Sequence, residues 1–541
     1  MRPEHPSRPL TDPSARPAEP GRRTLLGAGV AAVAAGLLGA GGTATARPAR
    51  ADDRGAAGAS GDVPPGYVTP GGPQVLAAEK RRGDGPVRQL SLLATPTLVQ
   101  LGGRTVHTWA YDGSLTGPVI RATAGDALAV DFANHLPHHT TVHWHGLALR
   151  NDMDGVPGIT QLAVAPGASF PYHFKTARPG TYWYHPHVGV QQDRGLYGPL
   201  IVDDPREPLA YDKEWVVVLD DWVDGIDGST PDAILEELNH GMSHSGHEMR
   251  AAAAPSKRAA AAPSKGPSRI LRGARSELLG GEAGNVDYPL HLINGRTADD
   301  PETFTAAPGD RIRIRMINAG GDTAYRVALG GHTMTITHTD GHAVEHADTD
   351  TLLLGMSERY DVLVTAKDGV FPLTALAEGK KHLAQAVLRT GGGAAPGPGT
   401  RPRELDGKLV TAPDLYAAES VRLPKRDVDR RHQMVLTGSM DRFNWAINHE
   451  PFTPSQRYPV REGERVELVF RNHTQMWHPM HLHGHAFELA DGGPRKDTVI
   501  VRPRRTVRVH LDADNPGLWM LHCHNVYHSE SGMMTVLGYR A

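Results

Sequence analysis

The stretch LHCHNVYHSESGMM, residues 521–534, contains Cys523, the only cysteine of this 541-residue chain. A lone cysteine cannot form an internal disulfide. It is flanked by His522 and His524, and His528 and Met533 follow it. A thiolate, an imidazole and a weakly bound thioether are three of the four ligands of a blue-copper electron-transfer site. The missing ligand is a second histidine, which we expect in the other histidine-rich stretch, HPMHLHGH at 478–485.

The spacing around Cys523 predicts a strand that serves two metal sites. If residues 518–524 form a β-strand, successive side chains point to opposite faces, so Cys523 points one way while His522 and His524 point the other. A few covalent bonds would then connect the two sites. The alternative is a buried cysteine that packs as a small hydrophobic residue beside incidental histidines.

Three similar units divide the chain, at residues 125–134, 309–318 and 463–472. In each unit a turn glycine precedes an acid, a strand of alternating apolar residues follows, and the unit ends in asparagine. Such alternation is typical of a half-buried strand, and the repeat predicts a repeated module. Many short strands with Gly and Pro turns indicate β-sandwiches or barrels, so the predicted fold class is all-β.

Paired histidines recur at equivalent positions of the first and third units. Nine and eleven residues after the asparagine, both carry a His-x-His pair, whereas the middle unit has Val327 and Leu329. A second pair lies five and seven residues after Gly180 and after Gly517. The eight histidines are His143, His145, His185, His187, His481, His483, His522 and His524. We expect modules one and three to face each other and share a multinuclear site, with module two as a spacer.

These motifs resemble the four signatures of three-domain multicopper oxidases. The matching segments are HWHG at 143–146, HPH at 185–187, HPMHLH at 478–483 and HCHNVYHSESGM at 522–533, and the resemblance extends from about Val87 to the end. Within that family the chain is similar to bacterial laccase-like and copper-efflux-type oxidases. The resemblance implies three cupredoxin-like β-sandwich domains in tandem and four copper ions, one type 1, one type 2 and two type 3.

The same resemblance assigns ligands to each copper. The blue type 1 copper would be bound by His478, Cys523 and His528, with Met533 as the axial ligand. The type 2 copper would be bound by His143 and His481. One type 3 copper would be bound by His145, His185 and His524, and the other by His187, His483 and His522. Cys523 would also carry electrons towards the three-copper cluster.

Two positions bear on the supply of protons to the cluster. Asp154 matches a family acid that delivers protons to the cluster, and the alternative is an Asp-Gly turn. A second relay acid of many relatives directly follows the histidine equivalent to His528. This chain has Ser529 there, with Glu530 one residue later, which leaves the second relay open.

Domain boundaries are expected from composition and motif positions. The predicted segments are an export signal over 1–51 and a flexible leader over 52–86, followed by three cupredoxin domains over 87–208, 209–390 and 405–541. A Gly/Pro-rich linker over 391–404 separates the second and third domains. Arg22-Arg23 before a weakly apolar run resembles a twin-arginine signal, whose export machinery carries folded proteins. A general secretory signal or an anchor is the alternative, although the run is too short and weakly apolar for a stable membrane span. We expect the folded protein to be periplasmic, cell-surface or extracellular.

The segment 240–249 bears on the choice of substrate. It begins an insert of about 240–283 whose later part is low-complexity, and its candidate ligands are His240, Met242, His244, His247 and Met249. Thioether and imidazole groups bind Cu(I), and in copper-efflux relatives Met-rich inserts collect cuprous ion. Met476, two residues before His478, is a further candidate. The alternative is a solvated loop with incidental histidines and methionines.

Together these observations predict an exported oxidase that couples one-electron oxidation of a substrate to reduction of O2 to water. The favoured substrate is Cu(I), with phenol oxidation as a side activity and copper tolerance as the purpose. A laccase acting mainly on phenols and aromatic amines is the alternative, and a non-catalytic copper-sequestering protein is a third possibility. The net charge of −3 gives no basic field that would favour nucleic acid.

Overall fold

The computed structural model describes residues 65–240 and 266–541. Strands make up most of the regular structure in these two ranges. No helix within them is long and apolar enough to cross a bilayer. The predicted export signal, most of the leader and residues 241–265 of the insert lie outside the described residues.

The first pair of sheets is built from residues 87–203. Its strands are β1 (Val87–Leu101), β2 (Arg104–Tyr111), β3 (Ile120–Thr123), β4 (Ala127–Asn134), β5 (His143–His145), β6 (Ser169–Lys175), β7 (Gly180–His185) and β8 (Gly198–Asp203). The sheet orders are β2-β1-β4-β6 and β3-β8-β7-β5. Leu128, Phe132 and Tyr184 belong to a common core, which makes this pair a sandwich.

The second pair comes from the middle of the chain. Its strands are β9 (Lys213–Trp222), β10 (Arg275–Ser276), β11 (Gly281–Glu282), β12 (Leu290–Ile293), β13 (Thr303–Thr305), β14 (Arg311–Asn318), β15 (Tyr325–Leu329), β16 (Met334–Thr339), β17 (His342–Thr349), β18 (Thr351–Leu354), β19 (Arg359–Thr365), β20 (Val370–Ala377), β21 (Leu383–Arg389) and β22 (Leu409–Val410). Two six-stranded sheets have the orders β12-β9-β14-β19-β16-β17 and β13-β21-β20-β15-β18-β22, and β10 pairs with β11. The short β22 therefore pairs within the middle sandwich although it follows the predicted linker.

The third pair holds the C-terminal motifs. Its strands are β23 (Arg430–Thr437), β24 (Ala446–Ile447), β25 (Tyr458–Val460), β26 (Arg465–Asn472), β27 (His478–Leu482), β28 (Phe487–Leu489), β29 (Arg495–Lys496), β30 (Thr498–Val501), β31 (Thr506–Asp512), β32 (Leu518–Cys523) and β33 (Met534–Tyr539). The sheet orders are β24-β23-β26-β31-β28-β29 and β25-β33-β32-β27-β30. Strand β32 lies between β27 and β33, so the two histidine-rich stretches are neighbours in one sheet.

Helices are few and short. They are α1 (Pro73–Arg81), α2 (Pro231–Asn239) and α3 (Val526–Ser531), with 3-10 turns at Asn151–Met153, Gln191–Arg194, Arg403–Asp406 and Ala412–Asp414. The side chain of Asn525 caps α3 by accepting N–H bonds from Tyr527 and His528. This cap fixes the turn between Cys523 and His528.

The repeated asparagine has the same role in all three sandwiches. Asn134, Asn318 and Asn472 are the last residues of β4, β14 and β26. In each, Oδ1 accepts the N–H two residues further on, and Nδ2 donates to two main-chain carbonyls. The turn after the strand is therefore built alike three times. The positions counted from each asparagine then fall in β5 and β15 and at the end of β27, where His483 directly follows the strand. The prediction of three repeated units is confirmed.

Candidate metal centres

The end of β32 separates two clusters of potential ligands. The predicted strand over 518–524 is present and ends at Cys523. The Sγ atom of Cys523 lies 3.6 Å from Nδ1 of His478 and 3.7 Å from Nδ1 of His528. Those two nitrogens are 3.2 Å apart. His522 and His524, on either side of the cysteine, lie in a separate cluster of histidine rings.

The three atoms around Cys523 fit one metal ion. A point equidistant from atoms at these separations is about 2 Å from each, the length of a bond between a metal ion and an imidazole nitrogen. Burial lowers the pKa of His478 to about 3, so the ring is in its neutral, ligating form. Burial also raises the pKa of the Cys523 thiol. A bound cation opposes that effect because it stabilises the thiolate, and one sulfur with two imidazoles suits copper.

Met533 is tied to this cluster through its backbone. Its carbonyl accepts the N–H of Cys523 at 3.0 Å, and its own N–H donates to the carbonyl of His528 at 3.1 Å. The side chain is fully buried in the same apolar cluster as Cys523. The backbone of Met533 is thus held beside the two ligands, and axial coordination by its sulfur stays a prediction.

The eight histidines of the His-x-His pairs converge between the first and third sandwiches. The rings of His143 and His483 stack with centroids 3.8 Å apart, and those of His145 and His481 stack at the same distance. Each stack joins one sandwich to the other, so the expectation that these modules face each other is confirmed. None of the potential metal-binding groups among the described residues includes a residue of the middle sandwich.

Main-chain oxygens hold the outer nitrogen of several rings. These contacts join Nδ1 of His143 to Asp154 O at 2.8 Å, Nδ1 of His481 to Asp497 O at 2.9 Å and Nδ1 of His522 to Cys523 O at 2.9 Å. Such acceptors assign the proton to Nδ1 and leave a lone pair on Nε2. The Nε2 atoms of His143, His481 and His524 are buried with no partner among the described residues. Buried polar atoms are rarely left unpaired, so these nitrogens fit metal ligands.

Close pairs of ring nitrogens also indicate that these histidines are metal ligands. The Nε2 atom of His522 lies 3.1 Å from Nε2 of His483 and 3.4 Å from Nε2 of His187. His483 and His522 both donate Nδ1–H to oxygens, so their Nε2 lone pairs face each other and repel. A shared cation removes that repulsion. Nε2 of His185 likewise lies 3.5 Å from Nδ1 of His145.

The protonation state of the cluster also suits a metal. Burial, together with repulsion between neighbouring imidazoles, holds the pKa of His185, His187 and His483 well below the usual value. These rings are therefore neutral at ordinary pH. The contacts bring together the predicted set His187, His483 and His522, and they place His145 beside His185, although ligation itself stays a prediction.

Asp154 lies fully buried at the edge of the cluster. Its Oδ2 accepts from Nδ1 of His483 at 2.9 Å, and its Oδ1 is 3.2 Å from Nδ1 of His143. Gly155 follows with φ of +80°, so the residue also precedes a tight turn, as the alternative proposed. The carboxylate thus orients the imidazole of His483, and the main-chain carbonyl of the same residue orients that of His143. Delivery of protons by Asp154 stays a prediction.

The second relay position has an unusual environment. Oγ of Ser529 is 3.4 Å from Nδ1 of His522. A cavity of about 20 Å³ lies beside it, lined in part by Gln192, Ser529 and Glu530. A cavity of that size holds a single water molecule. A hydroxyl group and a space for one water therefore lie beside His522 at the position expected for a second relay acid.

Sequence reasoning missed the pair Asp497 and Arg359. Oδ1 of Asp497 lies 3.1 Å from Nε2 of His145, and Arg359 donates to the two carboxylate oxygens at 2.7 and 2.6 Å. Burial opposes ionisation of Asp497, yet the charge of Arg359 outweighs it and holds the pKa of the carboxyl well below its usual value. The middle sandwich, which supplies Arg359, therefore supports the cluster from outside. No local pattern connects residues 138 positions apart.

The outer edges of the two histidines beside Cys523 are covered. Nε2 of His478 is 2.9 Å from Oγ1 of Thr474, and Nε2 of His528 is 2.7 Å from Oδ1 of Asn285. Thr474 is 2% exposed and Asn285 is 1% exposed, and both imidazoles are fully buried. The ring of Trp445 packs 4.3 Å from that of His528. Neither imidazole presents an edge to solvent.

The residues predicted to collect copper are only partly described. Met476 is fully buried in the apolar cluster that contains Cys523. His240 is the C-cap residue of α2, is exposed, and has Nδ1 2.7 Å from the carbonyl of Glu236. Met242, His244, His247 and Met249 lie outside the described residues.

Comparison with known proteins agrees with this geometry. The multicopper oxidase family matches residues 94–207, 272–393 and 426–540. Multicopper oxidase MmcO of Mycobacterium tuberculosis is 48% identical over 453 residues, which cover 83% of this chain and 86% of that protein. A copper resistance protein A homolog of Pseudomonas syringae is 27% identical over 557 residues, covering 82% and 91%. The crystal structure of a multi-copper oxidase from Pseudomonas thermotolerans matches with a TM-score of 0.63 at 27% identity, covering 84% of this chain and 100% of that one.

The chain belongs to the multicopper oxidase family. It is an oxidoreductase that uses copper, and its three sandwiches are cupredoxin-like, as the sequence predicted.

Proposed function

We propose that the protein is an exported cuprous oxidase, which oxidises Cu(I) and reduces O2 to water. The observation that carries the choice of substrate is the coverage of His478 and His528 by Thr474 and Asn285. A phenol ring gives up an electron most readily when it contacts an exposed edge of a ligand. A small cation needs no such cleft. Coverage of both edges therefore favours a metal-ion substrate.

The proposed ligand sets are those predicted from the sequence. His478, Cys523, His528 and Met533 would hold the blue copper, and the eight clustered histidines would hold the other three ions. Bound copper supplies one-electron oxidation of the substrate and four-electron reduction of O2. Cys523 connects the two sites through its covalent neighbours His522 and His524. Asp154 and Asp497 orient the imidazoles of the cluster by accepting their ring N–H groups.

Two further observations support a cuprous substrate. The buried side chains Ile234, Leu235 and Leu238 of α2 belong to the same apolar cluster as Met476 and Cys523. The His/Met segment 240–249 follows directly after this helix, so it is attached to an element that packs into this apolar cluster. One relative is named a copper resistance protein A homolog, and protection from copper would be the corresponding role here.

The test is O2 uptake by the copper-loaded mature protein. Chelator-buffered Cu(I) is compared with a methoxyphenol, each with and without added Cu(II). Fast uptake with Cu(I), and phenol turnover that depends on added Cu(II), is the expected result. Phenol turnover that is fast and indifferent to Cu(II) would identify a laccase instead. Copper binding without O2 uptake from either donor would identify a sequestering protein.

Export is proposed from Arg22-Arg23 and the weakly apolar run behind it. Folded export suits a protein that acquires metal inside the fold. Replacing both arginines by lysine should retain the protein in the cytoplasm. Continued export of that variant would favour a general secretory signal.

A further inference from the structure

A cavity of about 280 Å³ lies where the three sandwiches meet. Gly146 and Gly484, which follow the cluster residues His145 and His483, form part of its lining. The first, second and third sandwiches all contribute other lining residues, among them Arg178, His342 and Arg495. The cavity therefore opens beside the cluster but outside the predicted ligand sets.

Arg495 is the unusual member of this lining. It is 8% exposed and forms no ion pair with any residue that the structure describes. Its Nη2 donates to the carbonyl of Ala486 at 2.8 Å and its Nη1 to the carbonyl of Val421 at 3.3 Å, while Nε has no partner. A guanidinium has five N–H groups. A buried charge without a counter-ion is unfavourable, so the remaining donors indicate a missing anion.

The surrounding charges favour an anion as well. Four cationic side chains and two carboxylates line the cavity, a formal excess of two positive charges; they are Lys175, Arg178, Arg422, Arg495, Asp512 and Asp514. Asp512 already pairs with two arginines that do not line the cavity, Arg426 and Arg465. Lys175 and Arg422 pair with outer carboxylates. Arg178 and Arg495 are left as the cations without an ion pair among the described residues.

The titratable neighbours give Arg495 no contact ion pair. Asp512 already pairs with Arg426 and Arg465, and Asp514 and Glu488 act on the guanidinium only from beyond the distance of an ion pair. Burial and the charges of Arg495 and Arg178 hold the pKa of His342 well below its usual value. This ring is therefore neutral. Burial and repulsion from Arg178 lower the pKa of Arg495 to about 10, so its guanidinium is still charged at neutral pH.

We infer that this cavity is a binding site for a small oxyanion or the carboxylate of a small organic acid. Guanidinium groups bind carboxylates and tetrahedral oxyanions through paired, charge-assisted hydrogen bonds. The volume is below that of sites for drug-sized ligands, so the ligand is small. Because all three sandwiches line the cavity, the ligand stabilises their junction by mass action. This site is separate from the proposed oxidase chemistry and needs no electron transfer.

The experiment is calorimetric titration of the copper-loaded protein with sodium sulfate and, separately, with sodium acetate, at constant ionic strength. The variants are Arg495→Lys, which keeps the charge but offers fewer donors, and Arg178→Gln at an exposed position. Arg401→Gln, an exposed arginine in the predicted linker, is the charge-matched control. Thermal unfolding of each protein is followed with and without the anion.

We expect saturable binding of at least one anion to the unmodified protein and to Arg401→Gln, weakened about tenfold or more in Arg178→Gln and Arg495→Lys. The temperature of unfolding should rise with anion concentration in step with that binding. No saturable binding of either anion, or equal weakening in all three variants, would overturn the inference. If Arg495→Lys fails to fold, Arg178→Gln still decides the test, because the side chain of Arg178 is exposed and its replacement does not disturb the core.

Discussion

The amide oxygen of Asn285 lies 2.7 Å from Nε2 of His528. A residue outside the third sandwich therefore fixes the outer edge of a predicted blue-copper ligand. The main-chain N–H of Asn285 in turn donates to Oδ2 of Asp322 at 2.8 Å, and Lys380 pairs with the same carboxylate at 2.9 Å. The blue centre is thus supported from the middle sandwich by a chain of buried polar contacts.

Removing this cover should change substrate preference. Asn285→Ala is expected to expose the edge of His528 and raise kcat/KM for a methoxyphenol severalfold, because the ring can then contact the ligand. Steady-state O2 uptake at several phenol concentrations measures this kcat/KM. Thr474→Ser, which keeps the hydroxyl group beside Nε2 of His478, is the matched control and should stay close to the unmodified protein. Equal phenol activity in all three proteins would show that the covered edge does not limit phenols.

Cys523 should be required for copper binding at the blue centre but not for copper binding at the histidine cluster. Cys523→Ser is expected to abolish the blue absorption while copper remains at the histidine cluster, because the eight clustered imidazoles are untouched. Absorption spectra and copper per chain measure the two effects separately. A blue band that persists in this variant would refute the assignment of Cys523.

Asp154 should act on the cluster and leave the blue centre intact. Asp154→Asn weakens the acceptor of the Nδ1–H group of His483, so O2 turnover should fall about 10- to 100-fold, the usual effect of losing such a partner. Stopped-flow reduction of the blue band by substrate should keep its rate. Unchanged turnover would return Asp154 to the role of a turn residue.

The pair Arg359 and Asp497 should be essential to the junction. Arg359→Met leaves a buried carboxylate without its counter-ion, which costs about 3–5 kcal/mol. The free energy of unfolding of the copper-free protein measures this loss. Asp340, which lies 3.6 Å from Arg359, provides a comparison through Asp340→Asn. A loss below about 1 kcal/mol for Arg359→Met would contradict the role given to the pair.

Acid should destabilise the fold through buried neutral histidines outside the metal clusters. Burial and the charge of Lys380 hold the pKa of His291 well below its usual value. The stability contributed by its neutral form is complete above the unfolded pKa of about 6.5 and is lost as the pH falls below it. Between pH 6.5 and 5 this residue alone accounts for a loss of up to about 2 kcal/mol.

Denaturant unfolding of the copper-free protein at several pH values measures this dependence. His291→Gln should show a shallower decline on the acid side than the unmodified protein, because glutamine does not titrate. The exposed histidine His449 offers a control through His449→Gln, which should leave the slope unchanged. Parallel curves for the unmodified protein and His291→Gln would exclude this histidine as a source of acid sensitivity.

Local sequence determined much of the architecture. The three glycine–acid–strand–asparagine units, the strand ending at Cys523 and the eight histidines in register could all be predicted, because periodicity and turn chemistry are properties of short segments. The same counts implied that the middle module lacks cluster histidines. The side chains that gather in the two clusters were therefore predictable in kind and number, and their ligation of copper stays a prediction.

Only the tertiary structure decided what surrounds those donors. Asn285 and His528 are 243 positions apart, and Arg359 and Asp497 are 138 apart, so no local pattern relates either pair. Their contacts exist because the middle sandwich docks against the third and brings polar side chains into a buried junction. Arg495, whose guanidinium forms no ion pair within residues 65–240 and 266–541, is buried by the same docking, because burial and the position of a counter-ion depend on neighbours that are distant in sequence.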